Sequence, residues 1–273
     1  MVRIGIIGTG NMGSMLARKL LEAEIVSADM VLVYNHTPEK MNFLVKSTGV
    51  RFAKSNCALV EESDLIFICV RPDDFLPLIL EIKQFLTEEK TIISFVSDIS
   101  IQKIKEWSGH DAVRVIPSVT SECRCGISVI SFGKSISHSI QKQITLLFNS
   151  ISVPYVTDEE NMSFLSDITS SSPAIIAAII REYVRSSVRR GHVSESDAEL
   201  LLTETLTGTA LLLSEKKFSL DSLIDKVSTK GGITAEGVNI IEEKSPALFE
   251  EVLLKMSEKH NNIQKINLNK NEE

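Results

Sequence analysis

The sequence lacks the features that identify a nucleic-acid-binding protein or a metalloprotein. Its formal net charge is −7 and no basic stripe follows the chain, so we expect no sequence-independent binding to nucleic-acid phosphates. The four cysteines include a Cys-x-Cys pair, Cys123 and Cys125, but no second Cys/His pair follows at zinc-site spacing. The five histidines are scattered. We therefore predict no nucleic-acid partner, no metal site and reduced thiols.

Long hydrophobic runs are also missing. The chain opens on an apolar strand pattern instead of a basic segment followed by a signal-peptide core. The densest later apolar run, residues 173–180, is too short to cross a bilayer. We expect a soluble, cytoplasmic protein with no membrane partner.

The first part of the chain alternates strand and helix patterns. Its continuous apolar runs are typical of strands that are buried on both faces of a parallel sheet. Between them, apolar residues recur at helical spacing, which predicts an α/β fold with a Rossmann-like doubly wound sheet over residues 1–157. The predicted strands are residues 2–8, 30–35, 65–70, 91–96, 112–117, 126–132 and 153–156.

Strand patterns stop near residue 158, and long helical patterns follow. They predict an all-helical domain over residues 158–260 and a flexible polar tail over residues 261–273. One predicted helix carries an apolar face, which favours helix packing between two copies of the chain. A homodimer, or a larger homo-oligomer, is therefore expected. The residues of that face are Ile175, Ile176, Ile179, Ile180 and Val184.

A glycine motif joins the first predicted strand to the first predicted helix. Gly8, Gly10 and Gly13 fit G-x-G-x-x-G, with Asn11 and Met12 between the last two glycines. In a dinucleotide site, such glycines allow a tight turn, close approach of a pyrophosphate and close helix–strand packing. The motif predicts a dinucleotide site, and the alternative is a tight turn without a ligand.

The end of the second predicted strand distinguishes the two nicotinamide cofactors. An acidic residue there would bind the ribose 2′-hydroxyl of NAD, but the chain has Asn35, His36 and Thr37, while Asp29 precedes the strand. Neutral and potentially cationic groups favour NADP as the cofactor, with NAD as a second possibility. Asn35 and Thr37 could also serve only to cap the next helix.

With these features, the chain resembles the pyrroline-5-carboxylate reductase family from about residue 3 to 260. The resemblance rests on IGIIGTGNMG, VRP, RVIP, SSSPAI and VSTKGGITAEG, which occur in the family's order. It implies reduction of a small cyclic imino acid, pyrroline-5-carboxylate, to L-proline with NADPH or NADH, and hence a role in proline biosynthesis. It also implies that the helical domains interlock into dimers, and it assigns Val70, Arg71 and Pro72 to the cofactor.

The same resemblance assigns the substrate site. Gly231 and Gly232 precede a helix and would offer backbone N–H groups to the substrate carboxylate. Thr234 matches the family's threonine whose hydroxyl contacts the ring nitrogen, and it is the candidate catalytic residue. Ser171 takes the family's serine position. A helix N-cap is the alternative role for Thr234.

The chain departs from the family near these residues. Ser170 and Ser172 replace two glycines, Ser118 replaces an asparagine, Asp98 replaces a glycine and Lys230 replaces a proline. Serine at a glycine position predicts a changed loop path or crowding. Hence the alternative function is a catalytically weak or inactive paralogue that binds a dinucleotide or a protein, like the paralogues encoded in competence operons.

A β-hydroxyacid dehydrogenase is disfavoured because that chemistry uses a lysine general base on a helix of the second domain. Residues 158–214 contain no lysine, and the first ones are Lys216 and Lys217. Arg114 lies among apolar residues of the fifth predicted strand and is expected to be a paired structural charge.

Overall fold

Eight strands form one sheet within residues 2–269, the part of the chain that the computed structural model describes. Their order is β3-β2-β1-β4-β5-β6-β7-β8, and all neighbours are parallel except β6 and β7. The strands are β1 (Ile4–Ile7), β2 (Val31–Tyr34), β3 (Arg51–Phe52), β4 (Leu65–Ile68), β5 (Thr91–Ser94), β6 (Ala112–Pro117), β7 (Ile127–Phe132) and β8 (Val153–Val156).

Helices cover both faces of this sheet. Successive strand residues face opposite sides, so Ile6 packs with α1, α2 and α6, while Ile7 packs with α3, α4 and α5. Burial on both faces explains the continuous apolar strands. The helices are α1 (Asn11–Glu22), α2 (Pro38–Thr48), α3 (Asn56–Glu62), α4 (Pro72–Ile82), α5 (Ile101–Ser108) and α6 (His138–Asn149).

Every element after β8 in the described chain is helical, which confirms the predicted fold class of a Rossmann-like sheet followed by helices. A π-helical turn, Asp167–Ser171, lies between α7 and α8, so the backbone is helical without a break from Met162 to Arg189. These elements are α7 (Met162–Ser166), α8 (Ser172–Arg189), α9 (Glu195–Ser214), α10 (Leu220–Val227) and α11 (Ile233–Asn269).

The chain forms two compact units, and the boundary between them differs from the predicted one. The first unit includes residues 2–171 and the second is Ser172–Asn262, so the division falls later than residue 157. Helix α11 continues to Asn269, through most of the segment predicted as a tail. Residues 270–273 of that segment lie outside the described residues.

Three local features differ from the prediction. Strand β3 was not predicted, because a two-residue edge strand is too short to show a pattern. Strand β7 runs antiparallel to β6. The π-helical turn, Asp167–Ser171, was not predicted either, and the helical backbone continues from it through Ser172 and Pro173.

One helical stretch of the described residues, Glu159–Arg189, is long and apolar enough to span a membrane by length and composition. Only 11% of its apolar window is buried within the chain. It contains the shorter apolar run, residues 173–180.

Candidate functional site

The turn between β1 and α1 has the geometry that its glycines predict. Gly8 has φ +94°, and a Cβ there would lie 2.5 Å from the carbonyl oxygen of Cys69. A Cβ on Gly13 would lie 2.0 Å from the carbonyl oxygen of Gly8. Gly10 differs, because a Cβ there would meet nothing within 4 Å. Gly8 and Gly13 are therefore required by packing, while Gly10 borders open space.

That open space lies at the N-terminus of α1. The first main-chain bond into the helix runs from the N–H of Ser14 to the carbonyl of Gly10, at 3.0 Å. By helix geometry, the N–H groups of Asn11, Met12 and Gly13 have no partner within the helix and attract an anion. No acidic residue occupies the first turn of α1. The turn is thus suited to a pyrophosphate.

A cleft of about 580 Å³ lies beside this turn, in the first unit. The strand order reverses between β1 and β4, which is where open α/β sheets bind ligands. Asn11, Met12, Gly13 and Pro72 are not among its lining residues. The lining brings together seven of the predicted residues, namely Gly8, Gly10, Asn35, His36, Thr37, Val70 and Arg71.

The wall of the cleft that follows β2 carries no acidic residue. The Asn35 side-chain amide donates to the carbonyl of Thr37 at 3.3 Å, so Asn35 shapes the turn into α2. Thr37 precedes α2 but makes no side-chain capping bond. His36 and Lys40 are exposed beside the cleft, and Lys40 was missed by the sequence analysis.

Other lining residues were also missed. The Asn56 side-chain amide donates to Glu81 Oε2 at 2.9 Å, while Asn56 Oδ1 is buried and accepts no hydrogen bond from the described residues. Both side chains border the cleft, together with Tyr34 and Asp74. An unpaired buried acceptor at a ligand cleft is costly unless a bound donor satisfies it. The Cys69 thiol also lines the cleft, and burial raises its pKa, which keeps it unreactive.

Arg114 is paired, as predicted. Its guanidinium Nη1 lies 2.6 Å from Glu159 Oε1, and its Nη2 donates to the carbonyl of Ser97. Glu159 Oε1 also accepts the N–H of Ile101, the first residue of α5, at 2.8 Å. The pair therefore ties the segment after β5, which carries Asp98, to the start of the helical region.

The replaced positions Ser118 and Ser170 face each other. Ser118 Oγ donates to the carbonyl of Thr169, and Ser170 Oγ donates to the carbonyl of Pro117, each at 3.2 Å. The serines at 170–172 do not have the positive φ that favours glycine. Ser171, the candidate substrate residue, is half-buried beside them.

The glycine pair of the second unit forms a tight turn. Gly231 has φ +75°, and the N–H of Gly232 donates to the carbonyl of Thr229 at 2.8 Å. A Cβ on Gly232 would lie 2.7 Å from Thr229 Oγ1. Helix α11 begins at Ile233, so Thr234 is its second residue and does not occupy the capping position. The Thr234 side chain is exposed.

No metal cluster is formed by the described residues: they contain no group of three or more His, Cys, Asp or Glu side chains placed to hold an ion. Cys123 and Cys125 are exposed free thiols.

Two family models match the chain. Residues 3–98 match the family described as NADP oxidoreductase coenzyme F420-dependent. Residues 159–263 match the family described as pyrroline-5-carboxylate reductase dimerisation. The chain is 32% identical over 252 residues to ComE operon protein 4 of Bacillus subtilis (strain 168), covering 92% of each chain. It is 30% identical over 253 residues to pyrroline-5-carboxylate reductase 3 of the same organism, covering 92% of this chain and 93% of that protein.

Solved structures share the fold. The pyrroline-5-carboxylate reductase of Coxiella burnetii matches with a TM-score of 0.89 at 22% identity, covering 96% of this chain and 98% of that one. The Plasmodium falciparum enzyme, solved with NADP bound, matches with a TM-score of 0.82 at 23% identity, covering 97% of both chains. From its relatives, and from its matching helical region, this chain belongs to the pyrroline-5-carboxylate reductase family.

Proposed function

We propose that this protein is an NAD(P)H-dependent reductase of a small cyclic imino acid, most simply of pyrroline-5-carboxylate to L-proline. The observation that carries the proposal is the cleft at Gly10, where a helix N-terminus borders open space within a cleft of about 580 Å³. Relatives named pyrroline-5-carboxylate reductase cover nearly the whole chain.

The residues around the cleft fit NADP. The N–H groups at the start of α1 would hold the pyrophosphate. Asn35, His36, Thr37 and Lys40 would surround a ribose 2′-phosphate, because they supply donors and positive charge and no carboxylate. Val70 and Arg71 line the cleft after β4. The buried Asn56 Oδ1 offers an acceptor to an amino group of the nucleotide.

The proposed reaction needs alignment more than a nucleophile. When bound, the reduced nicotinamide supplies the hydride that adds to the imine carbon, and the ring nitrogen ends as the amine of L-proline after one proton is taken up. The turn at Gly231 and Gly232 would present the free backbone N–H groups at the start of α11 to the substrate carboxylate, with Ser171 as a second hydrogen-bonding group. Thr234 would orient the ring nitrogen through its hydroxyl, as the catalytic residue.

A homodimer or higher homo-oligomer is part of this proposal. Within the described side chains of the second unit, the buried apolar residues are Val184 and Ala198. Large apolar side chains stay exposed, which a second copy of the chain would cover. Light scattering at micromolar concentration should show at least a dimer, and a monomer would contradict this. The exposed residues include Ile176, Ile179, Tyr183, Leu200, Leu201 and Leu211.

We further propose a cytoplasmic enzyme without a nucleic-acid or membrane partner. The net charge of −7 supports the absence of a nucleic-acid partner. The apolar stretch Glu159–Arg189 falls within the family's dimerisation region, which supports contact with a second copy in place of lipid. Binding of the purified protein to anionic vesicles would contradict this.

The test is NADPH oxidation by the purified protein with pyrroline-5-carboxylate. Thr234→Ala should lose turnover and keep NADPH binding, while Gly10→Asp should lose NADPH binding because a carboxylate would enter the pyrophosphate position. Thr87→Ala, an exposed threonine of the first unit, is the matched control and should behave like the unchanged protein. Turnover that survives in Gly10→Asp would overturn the assigned site.

A second candidate function is a catalytically weak or inactive reductase-like protein that binds a dinucleotide or a partner. It is favoured by the 32% identity to ComE operon protein 4 and by the changes at Ser118, Ser170, Ser172 and Asp98. NADPH binding by the unchanged protein without turnover of any cyclic imino acid would support it. Robust turnover would exclude it.

A further inference from the structure

We infer that Ser118 and Ser170 are positioning residues that fasten the serine turn, Thr169–Ser171, to the end of β6 and thereby hold the Ser171 hydroxyl in place for the imino acid. The inference rests on the proposed function. It concerns two side chains that replace family residues, and it predicts that they act as a pair.

The geometry is reciprocal. Each serine donates its hydroxyl to the backbone carbonyl of the residue that precedes the other serine. Ser118 reaches Thr169 and Ser170 reaches Pro117, both at 3.2 Å. Both hydroxyls therefore donate to backbone carbonyls of the opposite segment. Two short segments that are far apart in sequence are thus joined twice, with Ser171 next along the chain.

The carbonyl of Thr169 has a specific need for such a donor. In an α-helix it would accept from the N–H four residues later, but that residue is Pro173, which has no N–H. The backbone at this point is π-helical, a distortion that often marks functional sites. The Ser118 hydroxyl supplies a donor in place of the α-helical N–H that Pro173 lacks.

Ser118 is held rigidly in turn. It is fully buried, and its Oγ accepts from the backbone N–H of Thr120 at 3.3 Å and from Thr120 Oγ1 at 2.9 Å. Gly126 leaves room for this arrangement, since a Cβ there would lie 1.8 Å from Thr120 Oγ1. A donor with a single orientation and two incoming bonds fixes its acceptor more tightly than a freely rotating hydroxyl.

The experiment compares Ser118→Ala, Ser170→Gly and the double variant with the unchanged protein. Each single variant should raise the KM for pyrroline-5-carboxylate by about fivefold, the value of one hydrogen bond, with the NADPH dissociation constant within about twofold. If the two hydrogen bonds act as a unit, the KM of the double variant should be about equal to that of the single variant with the higher KM. Ser170→Thr keeps a hydroxyl, so its KM should stay close to that of the unchanged protein.

The matched control is Ser121→Ala. Ser121 lies in the same loop and is fully buried, but its Oγ has no hydrogen-bond partner among the described residues. Its loss should leave the KM unchanged. The inference is overturned if the KM values of Ser118→Ala and Ser170→Gly equal that of Ser121→Ala. A rise in activity in Ser170→Gly also overturns it.

Amide hydrogen exchange of peptides covering 167–172 gives a readout independent of turnover. Exchange should speed up in both single variants and not in Ser121→Ala, and unchanged exchange overturns the fastening whatever the activity. If the unchanged protein itself shows no turnover, the proposed function fails, and the assigned purpose of the pair fails with it. Turnover by the unchanged protein therefore tests the proposed function, and hydrogen exchange tests the role of the serine pair.

Discussion

Arg114 Nη1 lies 2.6 Å from Glu159 Oε1, and this ion pair joins β6 to the start of the helical region. The Arg114 side chain is only 7% exposed. Glu159 Oε1 also accepts the N–H of Ile101, and Arg114 also donates to Ser97. Three segments therefore meet at one carboxylate–guanidinium pair: β6, the segment that leads from β5 into α5, and the start of the helical region.

Replacing Arg114 by methionine should destabilise the protein strongly, because the partly buried Glu159 carboxylate would lose its counter-charge. Removal of one partner of a buried pair costs about 3–5 kcal/mol, and urea unfolding measures it. Arg51→Met is the matched control, since Arg51 pairs with Glu62 at 2.6 Å with both side chains about half exposed. That variant should change the free energy of unfolding by less than about 1 kcal/mol. Equal losses in the free energy of unfolding would show that burial does not make the Arg114 pair more stabilising than the exposed Arg51 pair.

Gly10 and Gly13, the second and third glycines of the motif, should separate folding from binding. Gly13→Ala places a Cβ against the backbone oxygen of Gly8, which cannot move aside, so the melting temperature should fall. Gly10→Ala meets open space, so the melting temperature should stay the same while NADPH binds at least about tenfold more weakly. Calorimetry measures both quantities. A stable Gly13→Ala variant would contradict the packing of this turn.

The glycine turn was predictable because its physical requirements are local. Gly8 needs its positive φ and Gly13 its close contact, and both are encoded within one strand–turn–helix segment. The continuous apolar strands were predictable for the same reason. Strand β3 was not, because two edge residues show no period.

Part of the cleft wall could not be predicted, because its residues come from three separate helices. Lys40, Asn56 and Glu81 lie on α2, α3 and α4, and each fits a solvated helix surface when the sequence is read alone. The strand order places them together. The pairing of Ser118 with Thr169 was hidden likewise, since it joins residues 51 positions apart.

Lys40 should contribute to the preference for NADPH. Lys40→Met removes a positive charge beside the cleft, so NADPH should bind about tenfold more weakly, with NADH binding changed less than about twofold. Lys46→Met is the matched control, because Lys46 is exposed on the same helix and does not line the cleft. Fluorescence titration with both cofactors checks this. A parallel loss for NADPH and NADH would place Lys40 away from the 2′-phosphate.

Asp64 should make stability depend on pH. Burial alone would raise the pKa of its carboxyl, but hydrogen bonds from the side chain and backbone N–H of Arg3, together with nearby positive charge, outweigh burial and lower that pKa. A carboxyl with a lowered folded-state pKa stabilises the fold at pH values above its unfolded-state pKa of about 3.9, and this stabilisation is lost as the pH falls through the folded-state pKa.

Asp64→Asn should therefore be less stable than the unchanged protein at pH 7, and the difference should shrink as the pH falls below about 4. Urea unfolding at a series of pH values measures this, with Asp29→Asn, an exposed carboxylate of the same unit, as the control. A difference that stays constant from neutral to acidic pH would show that the Arg3 pair does not stabilise the charged carboxylate.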